Sequence, residues 1–217
     1  MDPKFTRRNV LSAAAGLAAA GGAASGAAVA QAGGSPRFDL ERFTAAVRAA
    51  NAEGQGAVEE VLARAVSDPA AILAALGEPS EVGPLPLYRS PDLTIINVVW
   101  APLMVLPAHN HLMWASIGIY TGREDNILWR REGSVAEASG AASLSEGEVF
   151  SLPDDAIHSV VNPLGRLTAA IHIYGGDFFA TQRSEWDPET LEEHPQDFAA
   201  VQQLFRDANE RFQASQR

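Results

Sequence analysis

Gly147-Glu148-Val149-Phe150-Ser151-Leu152-Pro153-Asp154-Asp155-Ala156-Ile157-His158-Ser159-Val160-Val161-Asn162 is the stretch that decides the fold of this chain. Two β-forming runs, Val149 to Leu152 and Ser159 to Val161, flank a Pro-Asp-Asp turn, and a histidine stands where the second run begins. Upstream, Pro107-Ala108-His109-Asn110-His111 carries two more imidazoles separated by one residue. On an extended backbone side chains alternate faces, so this spacing turns both rings the same way and lets them take adjacent positions on one ion. An isolated His-x-His is most often a chance pair on a solvated loop. The chain has five histidines, and a third, His158, stands where another strand should begin.

Outward from these blocks the chain continues as short strands. Thr94 to Trp100, Ser116 to Tyr120, Ile127 to Trp129 and Leu167 to Tyr174 are β-branched and aromatic, with Gly, Pro, Asn or Asp between most of them. The pattern predicts a sandwich or small barrel of about eight strands, not alternating βαβ units. On the N-terminal side the period is helical. Leu40, Phe43, Val47 and Ala50 line one face, and Val58, Val61, Leu62, Ala65 and Val66 another, with a break over Asn51 to Gly56. Asp68-Pro69 starts a third helix that Gly77 ends, and a turn-rich segment follows through Pro79, Gly83, Pro84 and Pro86. After Trp186-Asp187-Pro188 the helical period returns in Phe198, Val201, Leu204, Phe205, Ala208 and Phe212. Helical flanks are thus expected over 38–77 and 188–213, within a single domain spanning 33–217.

The two histidine blocks resemble the paired motifs of the cupin superfamily, a small double-stranded β-helix barrel. In the second block Gly147, Pro153, His158 and Asn162 keep the family spacing, while Asp155 stands where a glycine is usual. The resemblance implies a mainly β, jelly-roll barrel with N-terminal helices and a C-terminal helix. It also implies one metal ion held by His109, His111 and His158. Many cupins add a glutamate four or five residues past the second histidine of the first block; here those positions are Ala115 and Ser116. What remains is a three-histidine set, neutral in ligand charge, with positions open for substrate and dioxygen. Imidazole suits several metals, so Mn, Zn, Ni and Cu stay open beside Fe(II), the expected occupant.

Three-histidine cupins include the thiol dioxygenases, and Ala170-Ile171-His172-Ile173-Tyr174 resembles the Ser-x-His-x-Tyr strand of cysteine dioxygenase, with alanine in place of the serine. That resemblance implies a catalytic role for His172 and Tyr174 as a hydrogen-bonded pair beyond the ligands, aiming the tyrosine hydroxyl at the site. Cross-strand packing accounts for the same two residues. The family also uses an upstream arginine for the substrate carboxylate. Arg89, in Leu87-Tyr88-Arg89-Ser90, is the counterpart that the resemblance implies, because a guanidinium pairs with a carboxylate bidentately; a solvated loop arginine accounts for the same residue. Trp114, with Trp100, Met113 and Tyr120, is placed to wall a substrate pocket or to pack the core. Arg123, Glu124, Asp125, Arg130 and Arg131 read as an exposed hairpin and edge strand, and His194 as surface at a Glu-rich helix start.

Composition narrows the rest. The formal charge of −11 argues against nucleic acid or an anionic membrane as partner. Zero cysteines remove disulfides, thiolate metal sites, cysteine nucleophiles and any cysteine–tyrosine crosslink. There is no Gly-rich phosphate loop, Gly-x-Ser-x-Gly elbow or His-Glu-x-x-His helix. Thr6-Arg7-Arg8-Asn9-Val10-Leu11, followed by an Ala/Gly-rich stretch and the small-x-small spacings Ala28-Val29-Ala30 and Ala30-Gln31-Ala32, resembles a twin-arginine signal peptide over 1–32. It implies a periplasmic or secreted protein with no stable membrane span after cleavage; a fortuitous arginine pair would leave it cytoplasmic. The expected reading is a mononuclear non-haem iron dioxygenase acting on a small thiol-bearing acid and dioxygen. Other three-histidine chemistry, such as diketone cleavage or a Mn or Zn reaction, and a non-catalytic ligand- or metal-binding module remain open. Many cupins are homodimers, and no residue here marks an interface.

Overall fold

The computed structural model describes residues 38–217. The expected signal peptide, 1–32, lies outside the described residues. Three helices lead: α1 (Leu40–Asn51), α2 (Gln55–Val66) and α3 (Pro69–Leu76). Asp39 accepts a hydrogen bond from the Arg42 amide at 2.8 Å, and Asp68 one from the Ala71 amide at 3.2 Å, so both helices start on a carboxylate cap. Gly54, at φ 105, makes the break between α1 and α2 in a backbone region that side chains avoid.

Eleven strands follow: β1 (Gly83–Arg89), β2 (Thr94–Trp100), β3 (Val105–Asn110), β4 (Ala115–Thr121), β5 (Arg123–Glu132), β6 (Val135–Ser145), β7 (Val149–Leu152), β8 (Ile157–Val161), β9 (Thr168–Tyr174), β10 (Ser184–Trp186) and β11 (Glu193–Pro195). Helix α4 (Phe198–Ser215) closes the chain on an Asp197 cap that accepts from Ala199 and Ala200. The strands form two antiparallel sheets, in the orders β1-β2-β9-β4-β7 and β11-β10-β3-β8-β5-β6. Antiparallel strands that alternate between two facing sheets, with helices before and one helix after, make the cupin double-stranded β-helix.

Side-chain alternation places the core. Ile96, Val98 and Trp100 of β2, Ile117 and Ile119 of β4, and Ala170 and Tyr174 of β9 face the barrel interior. Their neighbours Ile95, Val99, Tyr120, Ala169, Ile171 and Ile173 face outward, against Phe43, Val47, Val58, Leu62, Val66 and Ile72 of the leading helices. The five-stranded sheet is therefore covered on both faces, which is why all seven residues of β2 and all seven of β9 are buried. Burying Leu62 or Ile72 completely contributes about 1.5–3 kcal/mol each. Gly118 lets α2 approach closely: a Cβ there would meet Leu62 at 2.8 Å and Val66 at 2.9 Å.

Several expectations are corrected. The turn-rich segment after Gly77 contains β1, an edge strand where Pro84 and Pro86 cost little because one row of amides is unpaired, with a bulge between Pro86 and Tyr88. Strand β6 was not expected, since Ala, Ser and Gly on an exposed edge carry no apolar period. Residues 188–197 form turns and β11, so His194 is a strand residue, and the helix starts at Phe198. Strand β5 lies between β8 and β6 and is not an edge. Its first half alternates, leaving Arg123 and Asp125 partly exposed but Glu124 and Asn126 fully buried, so Glu124 is no surface charge. Among the described residues no helix is long and apolar enough to cross a membrane.

Candidate metal centre

A bulge aims the imidazoles. Leu106 pairs with Val160 and His109 with His158, so β3 spends one extra residue between these pairs. Without it, the parity that points Leu106 inward would point His109 outward; with it, both are core residues. Asn110 turns the other way, its Oδ1 accepting from the Ser184 amide at 2.9 Å. His111 follows at the strand end, just before Leu112 with φ 54.

The three rings converge with little exposure, 5% for His109, 2% for His111 and 1% for His158. His111 Nε2 lies 3.2 Å from both His109 Nε2 and His158 Nε2, and one nitrogen from each ring fits within a 4.8 Å group. Three ligands on one face of an ion, each about 2.1 Å from it, stand roughly 3.0–3.4 Å apart, so the spacing suits a metal. Their far sides are tied down. His109 Nδ1 donates to the Pro107 carbonyl at 2.9 Å, and His158 Nδ1 donates to Asn126 Oδ1 at 2.6 Å. Both bonds put the proton on Nδ1 and leave an Nε2 lone pair aimed at the common point. Burial pulls His109 down to about 4, with nearby Arg183 and His172 acting in the same direction against the Pro107 carbonyl. Burial likewise holds His111 and His158 well below the usual histidine range. Neutral imidazole is the form that ligates. The group can hold a metal ion.

Around it lies a cavity of about 310 Å³ lined by all three rings, His172, Tyr174 and Arg183, with Val201 and Phe205 of α4 contributing further wall. Tyr174 presents its ring edge-on to His111 at 4.9 Å, and its hydroxyl lies 3.1 Å from His172 Nδ1. Burial raises the Tyr174 phenol, Glu124 adds to the rise and Arg183 opposes it. Behind His172 sits Glu124. Its Oε2 accepts from Trp100 Nε1 at 2.7 Å and its Oε1 from Asn126 Nδ2 at 3.0 Å. His172 Nε2 lies 3.3 Å from Oε2 but off the hydrogen-bond axis, and has no other polar partner. Burial pushes the Glu124 carboxyl up, yet His172, Asn126 and Trp100 together hold it below the ordinary value.

Sequence reasoning placed some of these residues and missed others. His109, His111, His158, His172 and Tyr174 come together around one cavity. Arg89 does not line it: half-exposed, it forks onto Asp177 at 2.8 and 3.0 Å and stacks over Phe179 at 5.3 Å. Nor does Trp114, which packs with the outer cluster and lies so close to Gly175 that a Cβ there would overlap its indole. The cavity's buried arginine is instead Arg183, 7% exposed, stacked on Phe178 at 3.8 Å and Phe198 at 4.7 Å. Its Nε donates to Gln196 Oε1 at 2.7 Å and its Nη1 to the Phe178 carbonyl at 2.9 Å. Among the described residues no carboxylate pairs with it and Nη2 has no protein acceptor; burial draws it down to about 10, still cationic at neutral pH. Arg183 lies in a loop, where no periodic signal reaches it. Glu124 and Asn126 had a faint one, two polar residues at strand spacing after Gly122.

No family model matches the chain. Solved structures similar to it include a Bacillus halodurans protein, at 13% identity and TM-score 0.43 over 48% of this chain and 77% of that one. Another is an RmlC-like cupin-family protein with a double-stranded β-helix fold from Methanocaldococcus jannaschii, at 12% identity and TM-score 0.39 over 48% and 87%. A third is the cupin domain of Schizosaccharomyces pombe Cnp3, at 13% identity and TM-score 0.37; the match covers 44% of this chain and 61%, less than two thirds, of that one. The class that the sheet order and the site define is a cupin-fold protein with a buried three-histidine group.

Proposed function

We propose that this protein is a mononuclear iron(II) dioxygenase that converts a small thiol-bearing acid and dioxygen into the sulfinic acid, R–SH + O₂ → R–SO₂H. The observation that carries the reading is the pairing, around one cavity, of three converging neutral imidazoles without a carboxylate and a buried arginine without an acidic partner among the described residues. His109, His111 and His158 hold the iron through Nε2. Bound iron(II) would supply the electrons and open positions that bring thiol and dioxygen together. Nη2 of Arg183 receives the substrate carboxylate, and its other two donors stay fixed on Gln196 and Phe178, so the guanidinium meets the acid already oriented. Tyr174 offers its hydroxyl from the cavity wall beside His111. Phe178 and Phe205 exclude water from that volume.

The test is anaerobic reconstitution with Fe(II), Mn, Zn, Ni and Cu in turn, followed by oxygen uptake with a panel of thiol acids. Uptake with iron alone, stoichiometric with sulfinic acid, is expected. Iron-loaded protein that consumes no oxygen with any thiol acid refutes the reading. The same proposal includes export by the twin-arginine route, supported by Arg7-Arg8. Mass spectrometry of the host protein should find an N-terminus at Gln31 or Gly33; a retained Arg7-Arg8 segment would refute export.

A further inference from the structure

Glu124 is the one fully buried carboxylate among the described residues; it accepts from Asn126, which bonds His158, and its Oε2 stands 3.3 Å from His172 Nε2, whose ring bonds Tyr174 through Nδ1. An ionised carboxylate only accepts hydrogen bonds. Trp100 Nε1, which only donates, already points at Oε2. Asn126 is an amide that can be turned over, and the acceptor-only Glu124 decides which way: the Asn126 NH₂ must face Oε1. Its carbonyl oxygen is then left for His158 Nδ1, which must carry a proton to reach it at 2.6 Å. On the other branch His172 Nε2 faces Oε2, so the proton belongs on Nε2 and Nδ1 is left as an acceptor. The group facing Nδ1 is the Tyr174 hydroxyl, which donates.

We propose that Glu124 sets the polarity of this buried network, holding His158 as the Nδ1–H tautomer with Nε2 free for a metal, and His172 as the Nε2–H tautomer whose Nδ1 accepts a hydrogen bond from the Tyr174 hydroxyl. Glu124 is a positioning residue: it lies behind the ligands and acts through Asn126 and His172. With alanine at position 170, the polar group that faces His172 Nε2 is a carboxylate from the facing sheet, Glu124 Oε2 at 3.3 Å. One consequence rests on the dioxygenase reading above: with its O–H donated to His172, the Tyr174 oxygen is left to accept a hydrogen bond from the substrate's S–H.

The first measurement needs no variant and no metal. Nitrogen-15 NMR of the imidazoles in metal-free wild-type protein reads the tautomers directly. Nδ1–H at His158 and Nε2–H at His172 are expected; either ring in the opposite tautomer overturns the proposal. The second measurement is zinc affinity by chelator competition. Glu124→Gln presents an NH₂ to Asn126, whose amide turns over and offers donors to His158, so affinity should fall about 10–100-fold. Adding Asn126→Asp restores an acceptor on both faces, and the double variant should regain both the His158 tautomer and most of the affinity. A merely structural role for Glu124 would leave the double variant as impaired as the single one, and that result overturns the proposal. So does unchanged affinity in Glu124→Gln. Because the tautomers are read without metal, a protein that holds no iron would refute the dioxygenase reading while this polarity still stood or fell on the NMR.

Discussion

Replacing Arg183 with methionine should barely alter stability while abolishing the preference for carboxylate ligands. Folding pays for this charge: burial draws the guanidinium from its ordinary value down to about 10, which amounts to about 3 kcal/mol. Against that stand two hydrogen bonds, to Gln196 and the Phe178 carbonyl, at about 1 kcal/mol net each, and stacking on Phe178 and Phe198 at roughly 0.5–2 kcal/mol. The opposing effects nearly cancel. Methionine keeps the apolar stem between the two rings, so the expected change is within about 1 kcal/mol, or roughly 2–4 °C in Tm for a chain of this size. An arginine kept for stability would instead cost about 3–5 kcal/mol when removed. The sign with pH follows from the lowered value. Above about pH 10, up to the ordinary arginine range, the unfolded chain binds the proton that folded Arg183 has lost, so wild-type stability rises relative to the variant across that window. The ligand assay compares a thiol acid with the thiol of the same length lacking its carboxylate. A charged hydrogen bond of about 1.5–3 kcal/mol gives the acid a roughly 10–150-fold advantage in wild type and none in the variant. A preference that survives the substitution, or a stability loss above about 2 kcal/mol, refutes the reasoning.

Three further substitutions probe the surroundings. His158→Ala removes one converging nitrogen from the group, and the purified variant should hold no stoichiometric iron by elemental analysis; full retention would contradict the ligand assignment. Gly175→Ala pushes a methyl into the Trp114 indole and should lower stability by about 1–3 kcal/mol in urea titration, since the ring is wedged against the sheet. Arg89→Ala breaks a half-exposed ion pair with Asp177, so stability should fall by less than about 1 kcal/mol, and KM for a thiol acid should not change. A tenfold rise in KM would return Arg89 to the substrate site.

The strands were legible in the sequence because they obey short-range rules, and the histidine cluster because its two blocks resemble the paired cupin motifs. β2 and β7 match their predicted spans, and fully buried β2 is written in consecutive β-branched and aromatic residues. His109 and His111 were recognisable as a same-face pair, yet the bulge that turns them inward is a property of how β3 meets β8, and no local pattern announces it. Strands β6, β10 and β11 depend on pairing with neighbours more than on their own composition. The polar partners failed for a related reason. Arg89 was placed by analogy with an upstream arginine, whereas the chain brings Arg183 to the cavity from a loop 94 positions later. Glu124 looked like part of a solvated charge run because its flanking residues Arg123 and Asp125 are, and strand alternation hides one charge inside while showing its neighbours. A buried charge is costly unless its partners are present, and those partners are distant in sequence: Trp100 on β2 and His172 on β9.

The absence of a carboxylate among the ligands and the presence of Arg183 belong to one electrostatic design. With three neutral imidazoles, a bound dication keeps its full charge, and the guanidinium adds another positive charge to the same cavity. Glu124 cancels one charge, but from behind His172 and Asn126, where it cannot reach the ion or the substrate. About two positive charges are left uncompensated in a space with apolar walls, where each is expensive. A ligand that brings a carboxylate to Arg183 and a thiolate to the metal supplies two negative charges at the two places that lack them. Neutral thiols of the same size satisfy one of these, and acids without sulfur the other. On the proposed dioxygenase function, selectivity for a thiol acid would come from the charge the protein withholds as much as from the contacts it makes.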